Sequence, residues 1–215
     1  MKGMWNKTRL FWLLLGTAML LLVAGCQQPE EQLCAKPVIY LYPTQETEVT
    51  VGLELDGTLT ASYPEYGEGW HVVASPDGTL TDPDTGRQYY CLFWEGTSRA
   101  NYDLSSGFVV PGADTAEFLE QTLAKLGLTQ READEFIIYW LPRMAGNPYN
   151  LISFQTRAYT DGAGLEVDPK PDTVIRVFMA WKPLEAPVEM EEQTLEPAPE
   201  REGFVLVEWG GTQLD

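Results

Sequence analysis

The chain has 215 residues, of which 32 are acidic and 14 are basic, so its formal net charge at pH 7 is −18. This charge argues against a nucleic-acid partner, because proteins that bind nucleic acid carry basic patches. The only histidine is His71, and Cys34 and Cys91 are far apart in sequence, without the ligand spacing of the usual zinc sites. We therefore expect no metal and no cofactor. The aromatic content of 12% is enough for a packed core in one domain or two small ones.

The first 25 residues predict an export signal. Lys2, Lys7 and Arg9 form a basic start, and an apolar stretch follows that is short for a membrane-spanning helix of about 20 residues. Residues 22–26, LVAGC, resemble the lipobox of bacterial lipoproteins. The resemblance implies cleavage before Cys26, lipid on its thiol and attachment to the cell membrane, facing the extracytoplasmic side. An uncleaved signal anchor is the alternative.

Cleavage would leave 11 basic and 32 acidic residues, a formal charge of about −21. Anionic lipid headgroups repel such a chain, so we expect contact with the membrane through the lipid alone. Residues 26–36 are then predicted to be the lipidated cysteine and a short, unfolded tether.

The two remaining cysteines, Cys34 and Cys91, form an even pair in an oxidising compartment. A disulfide between them is one expectation. Two thiols, with Cys91 buried and Cys34 exposed, are the other. The spacing in sequence does not decide between them.

Residues 37–110 are predicted to be a β-rich half. An apolar run at 38–42 and alternating apolar positions at 49–55 are typical of strands. Asp56-Gly57 predicts a hairpin to a return strand at 58–62. Further strands are expected at 70–74, 79–81 and 87–94, which suggests an antiparallel meander, sandwich or partial barrel.

Residues 111–215 are predicted to combine helices with antiparallel strands. Asp114 with Glu117, and Thr129 with Glu132, have the spacing of helix capping boxes, and Gly127 is a stop signal. Residues 136–141 fit either a helix face or a buried strand, and we favour a strand because Pro142 follows. Strands are also expected at 150–155, 174–181 and 204–209, with a solvated acidic segment at 183–203.

The predicted fold class is therefore α+β. The halves 37–110 and 111–215 are either two small domains or one domain over 37–215. Five segments support a further resemblance: KPVIYLYP at 36–43, FLEQTLAKLGL at 118–128, YWLP at 139–142, NPYNLISFQT at 147–156 and PDTVIRVFMAWKPL at 171–184. Together they are similar to an uncharacterised family of exported proteins from Gram-positive bacteria. The resemblance implies no activity and assigns no functional residues.

Few side chains stand out as candidates for catalysis. Cys91 with His71 has the composition of a nucleophile and its base, but a core role for Cys91 is favoured because residues 89–93 are apolar and aromatic. Glu68 near Trp70, and Glu95 after Trp94, place acids beside aromatic rings, as in carboxylate glycosidases. Exposed turn residues are the simpler interpretation of these acids.

An arginine within a predicted strand is a candidate for binding. Arg176 shares a strand face with apolar residues and needs a carboxylate or a ligand anion. Glu208 and Glu135 are its expected partners, and an internal ion pair is the favoured interpretation. A loop containing Arg143, Asn147, Tyr149 and Asn150 is a second candidate binding edge.

We therefore expect a membrane-anchored binding or interaction module at the cell surface, for a cell-wall component or a protein partner. The alternative is an extracellular hydrolase that acts on glycan or peptide through carboxylates.

Overall fold

The computed structural model describes residues 32–214, which form three α-helices and two β-sheets in an α+β arrangement. The helices are α1 (Thr115–Lys125), which follows a 3-10 turn at Gly112–Asp114, α2 (Gln130–Met144) and α3 (Thr156–Gly162). The strands are β1 (Gln32–Tyr42), β2 (Thr47–Leu55), β3 (Gly57–Tyr63), β4 (Trp70–Ala74), β5 (Leu80–Thr81), β6 (Gln88–Tyr89), β7 (Leu92–Ser98), β8 (Ser106–Pro111), β9 (Tyr149–Phe154), β10 (Ala163–Asp168), β11 (Thr173–Leu184), β12 (Glu191–Glu192) and β13 (Val205–Gln213).

The larger sheet has the strand order β12-β8-β9-β11-β13-β1-β7-β3, and the smaller has the order β10-β2-β4-β5-β6. Pairing is antiparallel except between β11 and β13 and between β12 and β8. The fold class is thus confirmed, although the second half is not purely antiparallel. Because β13 joins β1 to β11, strands from both predicted halves share one sheet.

The larger sheet is the middle of three layers. Alternate residues of β11 point to opposite sides: Val177 packs with α1 and α2, whereas Phe178 packs with the smaller sheet. Each face therefore has its own apolar core. This explains why the sequence of β11 is almost continuously apolar, as expected for a strand buried on both faces.

Residues 136–141 are helical, so the predicted strand is wrong. They lie inside α2, whose N-terminus has the predicted capping box between Thr129 and Glu132. Phe136 and Trp140 are buried four residues apart, while Ile138 is 73% exposed. That burial follows the helical period, and Pro142 is accommodated in the last turn of the helix.

The predicted box at the start of α1 does not form. Asp114 is the N-cap residue, but its side chain makes no capping hydrogen bond, and its backbone is helical. The preceding 3-10 turn places Asp114 in a conformation that keeps the carboxylate away from the helix N–H groups. Gly127 does end α1, with a φ of +89°.

The predicted hairpin at Asp56-Gly57 is also wrong, because the chain changes sheets there. β2 pairs with β4 and β10, whereas β3 pairs with β7. A Cβ atom at Gly57 would lie 1.8 Å from the carbonyl oxygen of Thr97, so only glycine permits this approach. Main-chain bonds from Asp56 to Gly162 and from Arg99 to Asp56 fix the corner.

Three strand boundaries differ from the prediction. β1 begins at Gln32 and pairs with β7, so residues 32–36 belong to the sheet and not to a tether. The expected strand at 87–94 is divided between β6 and β7, which lie in different sheets. β13 continues through Gly210 and Gly211 and does not end there. Both positions require glycine, because Pro37 and Trp140 pack too closely against them for a side chain.

A buried carboxylate attaches the acidic segment before β13 to the helix layer. Glu132 is 1% exposed, and besides capping α2 it accepts a hydrogen bond of 2.9 Å from the Tyr42 hydroxyl. Arg201 donates to the same carboxylate at 2.5 Å and to the Gly127 carbonyl at 2.8 Å. The segment around Arg201 is thereby held against the helices.

Candidate functional site

Arg176 and Glu208 form a closed ion pair between the two sheets, as the favoured interpretation expected. The Arg176 Nε lies 2.6 Å from Glu208 Oε2, and the two side chains are 10% and 0% exposed. Tyr159 and Trp94 donate to the other oxygen at 2.9 and 3.2 Å. The second arm of the guanidinium donates to the Ala163 carbonyl at 2.7 Å.

This pair stabilises the core, because every strong donor around the carboxylate is used. Burial opposes the charge of Arg176, but the attraction of Glu208 and the contacts with Tyr159 together outweigh it and raise the arginine pKa. Burial and then Glu208 also raise the pKa of Tyr159, so its hydroxyl stays protonated and donates. Arg176 is therefore engaged in an internal ion pair, the favoured one of its two interpretations. The other expected partner, Glu135, accepts from Tyr40 instead.

The candidate carboxylates Glu68 and Glu95 do not come together. Glu68 is exposed before β4 and lines a cavity of about 540 Å³ together with Glu166, Asp168 and His71. Glu95 is on β7 and lines a different cavity. Trp70 is 2% exposed and donates its indole N–H to Pro64, so it is a core residue and not a sugar-stacking surface. The expected two-carboxylate site at Glu68 and Glu95 is therefore wrong.

The cysteines are free and buried, which contradicts both the disulfide and the exposed Cys34. Cys34 pairs with Gly96 across β1 and β7, whereas Cys91 lies five residues before Gly96, about 16 Å along the strand. A disulfide needs Cα atoms within about 7 Å. Burial raises the pKa of each thiol to about 12. His71 lines the cavity that contains Glu68, whereas Cys91 lines the one that contains Glu95, so the structure does not pair them as nucleophile and base.

The candidate loop after α2 is mostly structural. Asn150 is fully buried and donates to Thr115 and to the Met144 carbonyl, which satisfies the end of α2. Asn147 donates to Asn150 at 2.7 Å. Tyr149 is half-buried at the start of β9. Arg143 is different, because its guanidinium lies 4.1 Å from the centre of the Tyr139 ring, at the border of the cavity that holds Glu95.

That cavity, which we call the tyrosine cleft, has a volume of about 600 Å³. It combines side chains from both sheets and from α2. Its aromatic side chains among the described residues are Tyr63, Tyr89, Tyr90, Phe93 and Tyr139, and its polar ones are Lys36, Gln88, Cys91 and Glu95. The volume is within the range of small-molecule sites, about 300 to 1,000 Å³.

The rings of the cleft are accessible and carry polar groups at their edges. Tyr63 and Tyr90 are 50% and 53% exposed, which is high for tyrosines that neighbour a core. The Tyr63 hydroxyl accepts from Arg87 at 2.6 Å. Within residues 32–214, the Tyr139 hydroxyl has no hydrogen-bond partner. Burial raises the pKa of Tyr139, so this hydroxyl stays protonated and is available as a donor. Such rings present apolar faces and hydroxyl groups to the same ligand.

Sequence reasoning found Glu95 but missed the cleft around it. The cleft depends on a tyrosine from α2, in a segment predicted to be a strand, and on the placement of β6 and β7 in separate sheets. The cluster of aromatic residues at 89–94 was the available signal. It was interpreted as core alone.

None of the described helices is long and apolar enough to cross a membrane. In addition, no group of three or more His, Cys, Asp or Glu residues in the described part of the chain is arranged to hold a metal ion.

Comparison with known proteins gives no match: no family model fits the sequence, and no similar curated protein or solved structure is found.

Proposed function

We propose that this chain is a lipid-anchored binding module of the bacterial cell surface, and that it binds a glycan segment of the cell wall in the tyrosine cleft. The accessible tyrosine rings of the cleft carry the proposal. A cleft of about 600 Å³ suits a ligand of a few rings. A protein partner would instead need about 800 Å² of surface on each side.

Sugar rings suit this lining because they have apolar faces and a rim of hydroxyl groups. Tyr63 and Tyr90 offer ring faces together with phenolic hydroxyls, and Tyr139, whose ring contacts Lys36 and Arg143, offers its hydroxyl. Gln88 and Glu95 offer further hydrogen-bonding groups. Glu95 is the only carboxylate among the described lining residues, and hydrolysis by two carboxylates has no second acid there. Binding without turnover is therefore the function that the cleft supports best.

The binding proposal is tested by calorimetric titration of the purified chain with disaccharides and tetrasaccharides from digested wall glycan. Tyr63→Ala and Tyr90→Ala should each weaken binding about tenfold, because each removes an exposed ring from the cleft. Tyr149→Ala is the matched control, since this tyrosine does not line the cleft, and it should bind like the parent. A loss confined to Tyr149→Ala would place the ligand at the loop instead.

The proposed lipid attachment to the membrane is tested separately at Cys26, which lies outside the described residues. A Cys26→Ser variant should lose labelling by radioactive palmitate and the shift in mass that accompanies cleavage. A Cys34→Ser variant controls for label on another cysteine. Continued labelling of Cys26→Ser would contradict the proposed anchor, whatever the outcome for the cleft.

A further inference from the structure

We infer that the glycan bound in the tyrosine cleft is acidic, and that Lys36 binds a carboxylate on it. This inference rests on the proposed function, because it assigns a ligand class to the same cleft. It follows from the distribution of positive charge, from the backbone at Lys36 and from the single negative charge opposite it.

Positive charge is concentrated at the cleft in a chain whose net charge is −18. The Lys36 Nζ lies 4.9 Å from the centre of the Tyr139 ring, and the Arg143 guanidinium lies 4.1 Å from the same centre. The Arg87 guanidinium lies 5.6 Å from the centre of each of the Tyr63 and Tyr89 rings. Three cations thus border the rings of one cavity.

None of these three cations forms an ion pair with a carboxylate in the part of the chain that the structure describes. Of the other described cations, four arginines pair with an acid within 4 Å (Arg99, Arg131, Arg176 and Arg201), whereas Lys125, Arg157, Lys170 and Lys182 are unpaired but do not line the cleft. With acids outnumbering bases by more than two to one, unpaired cations gathered at a cavity favour an anionic ligand.

Lys36 reaches the cleft from a backbone conformation that is unfavourable for a residue other than glycine. Its φ is +51°, the only positive φ of a described residue other than glycine. It lies where the pairing register of β1 shifts against both β7 and β13. The left-handed conformation costs an ordinary residue roughly 1–2 kcal/mol, and such bulges change the direction in which a side chain points. Here the bulge places the ammonium over Tyr139 and Trp209.

Glu95 limits the charge of the ligand. Glu95 lines the same cleft as Lys36, but within the described residues its carboxylate oxygens form no ion pair with the Lys36 ammonium. A ligand carboxylate on Lys36 leaves Glu95 free to accept hydrogen bonds from sugar hydroxyls. A phosphate, with close to two negative charges, would face stronger repulsion from Glu95. A sugar acid therefore fits better than a sugar phosphomonoester.

The test compares three disaccharides by calorimetry on the full chain: N-acetylglucosaminyl-N-acetylmuramic acid, its methyl ester and di-N-acetylchitobiose. The three share their pyranose rings, but only the first carries a carboxylate. The acid should bind about tenfold more tightly than the ester, and the difference should shrink between 50 and 300 mM salt. Inorganic phosphate should not compete with the acid at millimolar concentration.

Variants assign the effect to Lys36. Lys36→Gln should lose about tenfold for the acid and leave the ester unchanged, while Lys36→Arg should retain the preference. Lys125→Gln removes one charge from an exposed helix end away from the cleft, and should keep the preference.

Equal binding of acid and ester by the parent chain would overturn this inference and leave the proposed function standing. The same holds if Lys36→Gln retains the preference, or if phosphate competes. If none of the three disaccharides binds and the wall fragments fail as well, the proposed function itself is wrong.

Discussion

Replacing Arg176 by methionine should destabilise the protein by about 3–5 kcal/mol at pH 8. The change leaves the Glu208 carboxylate, which is fully buried, without its cation. Hydrogen bonds from Tyr159 and Trp94 remain and offset part of the loss. Since domains of this kind unfold with about 5–15 kcal/mol, about a fifth or more of the stability is at stake.

Urea unfolding of the purified chain, followed by tryptophan fluorescence, measures this cost. A double variant, Arg176→Met with Glu208→Leu, should recover at least about 1 kcal/mol relative to the single variant. Recovery will be incomplete, because the Tyr159 hydroxyl and the Trp94 N–H then lose their acceptor.

Two results would refute this reasoning. A cost below about 1 kcal/mol for Arg176→Met at pH 8 would mean that Glu208 is hydrated in the folded protein. A double variant less stable than the single one would mean that the carboxylate stabilises the core without its arginine.

Three further predictions concern other parts of the fold. Glu132→Gln should cost about 2–3 kcal/mol in thermal unfolding, because it weakens both the cap of α2 and the pairing with Arg201; an unchanged melting temperature would contradict this. Burial raises the pKa of the Cys34 and Cys91 thiols from 9.0 to about 12, so the stability that they contribute is complete below pH 9 and is lost as the pH rises towards 12. In urea unfolding between pH 8 and 11, Cys91→Ala should flatten this decline, by at most about 1.4 kcal/mol per pH unit. Lys36→Val should cost about 1–2 kcal/mol and Lys36→Asn less than about 0.5, since asparagine tolerates a positive φ and a β-branched residue does not; equal denaturation midpoints would show that the bulge relaxes.

Local signals in the sequence predicted the elements well where one interaction decides the structure. The box between Thr129 and Glu132 started α2 where expected, and the alternation at 49–55 gave β2. Prediction failed where distant packing decides. Residues 136–141 have the composition of a strand. They form a helix because Phe136 and Trp140, one helical turn apart, are buried in the core between the helices and the larger sheet. Asp56-Gly57 is a residue pair typical of hairpin turns, but here glycine is needed because the backbone of Thr97 lies too close for a side chain.

The candidate site was harder to predict than the fold, because its parts are far apart in sequence. Arg176 and Glu208 were paired correctly from their positions on strand faces, which depend on a period of two. The tyrosine cleft joins Lys36, Glu95 and Tyr139 across β1, β7 and α2. No local pattern connects these residues, and the unusual backbone at Lys36 leaves no trace in residue type.

The position of β13 in the larger sheet has a consequence for the time at which the fold can form. β13 is the last strand along the described chain, yet it lies between β11 and β1, where it pairs Trp209 with Val38. At about 5–20 residues per second, a ribosome needs roughly 10–35 s to synthesise the stretch between these two residues. During that interval β1 has one partner at most, and the sheet remains in two parts with open edges. The larger sheet therefore stays incomplete until β13 is made, and its core on both faces can close only at that stage.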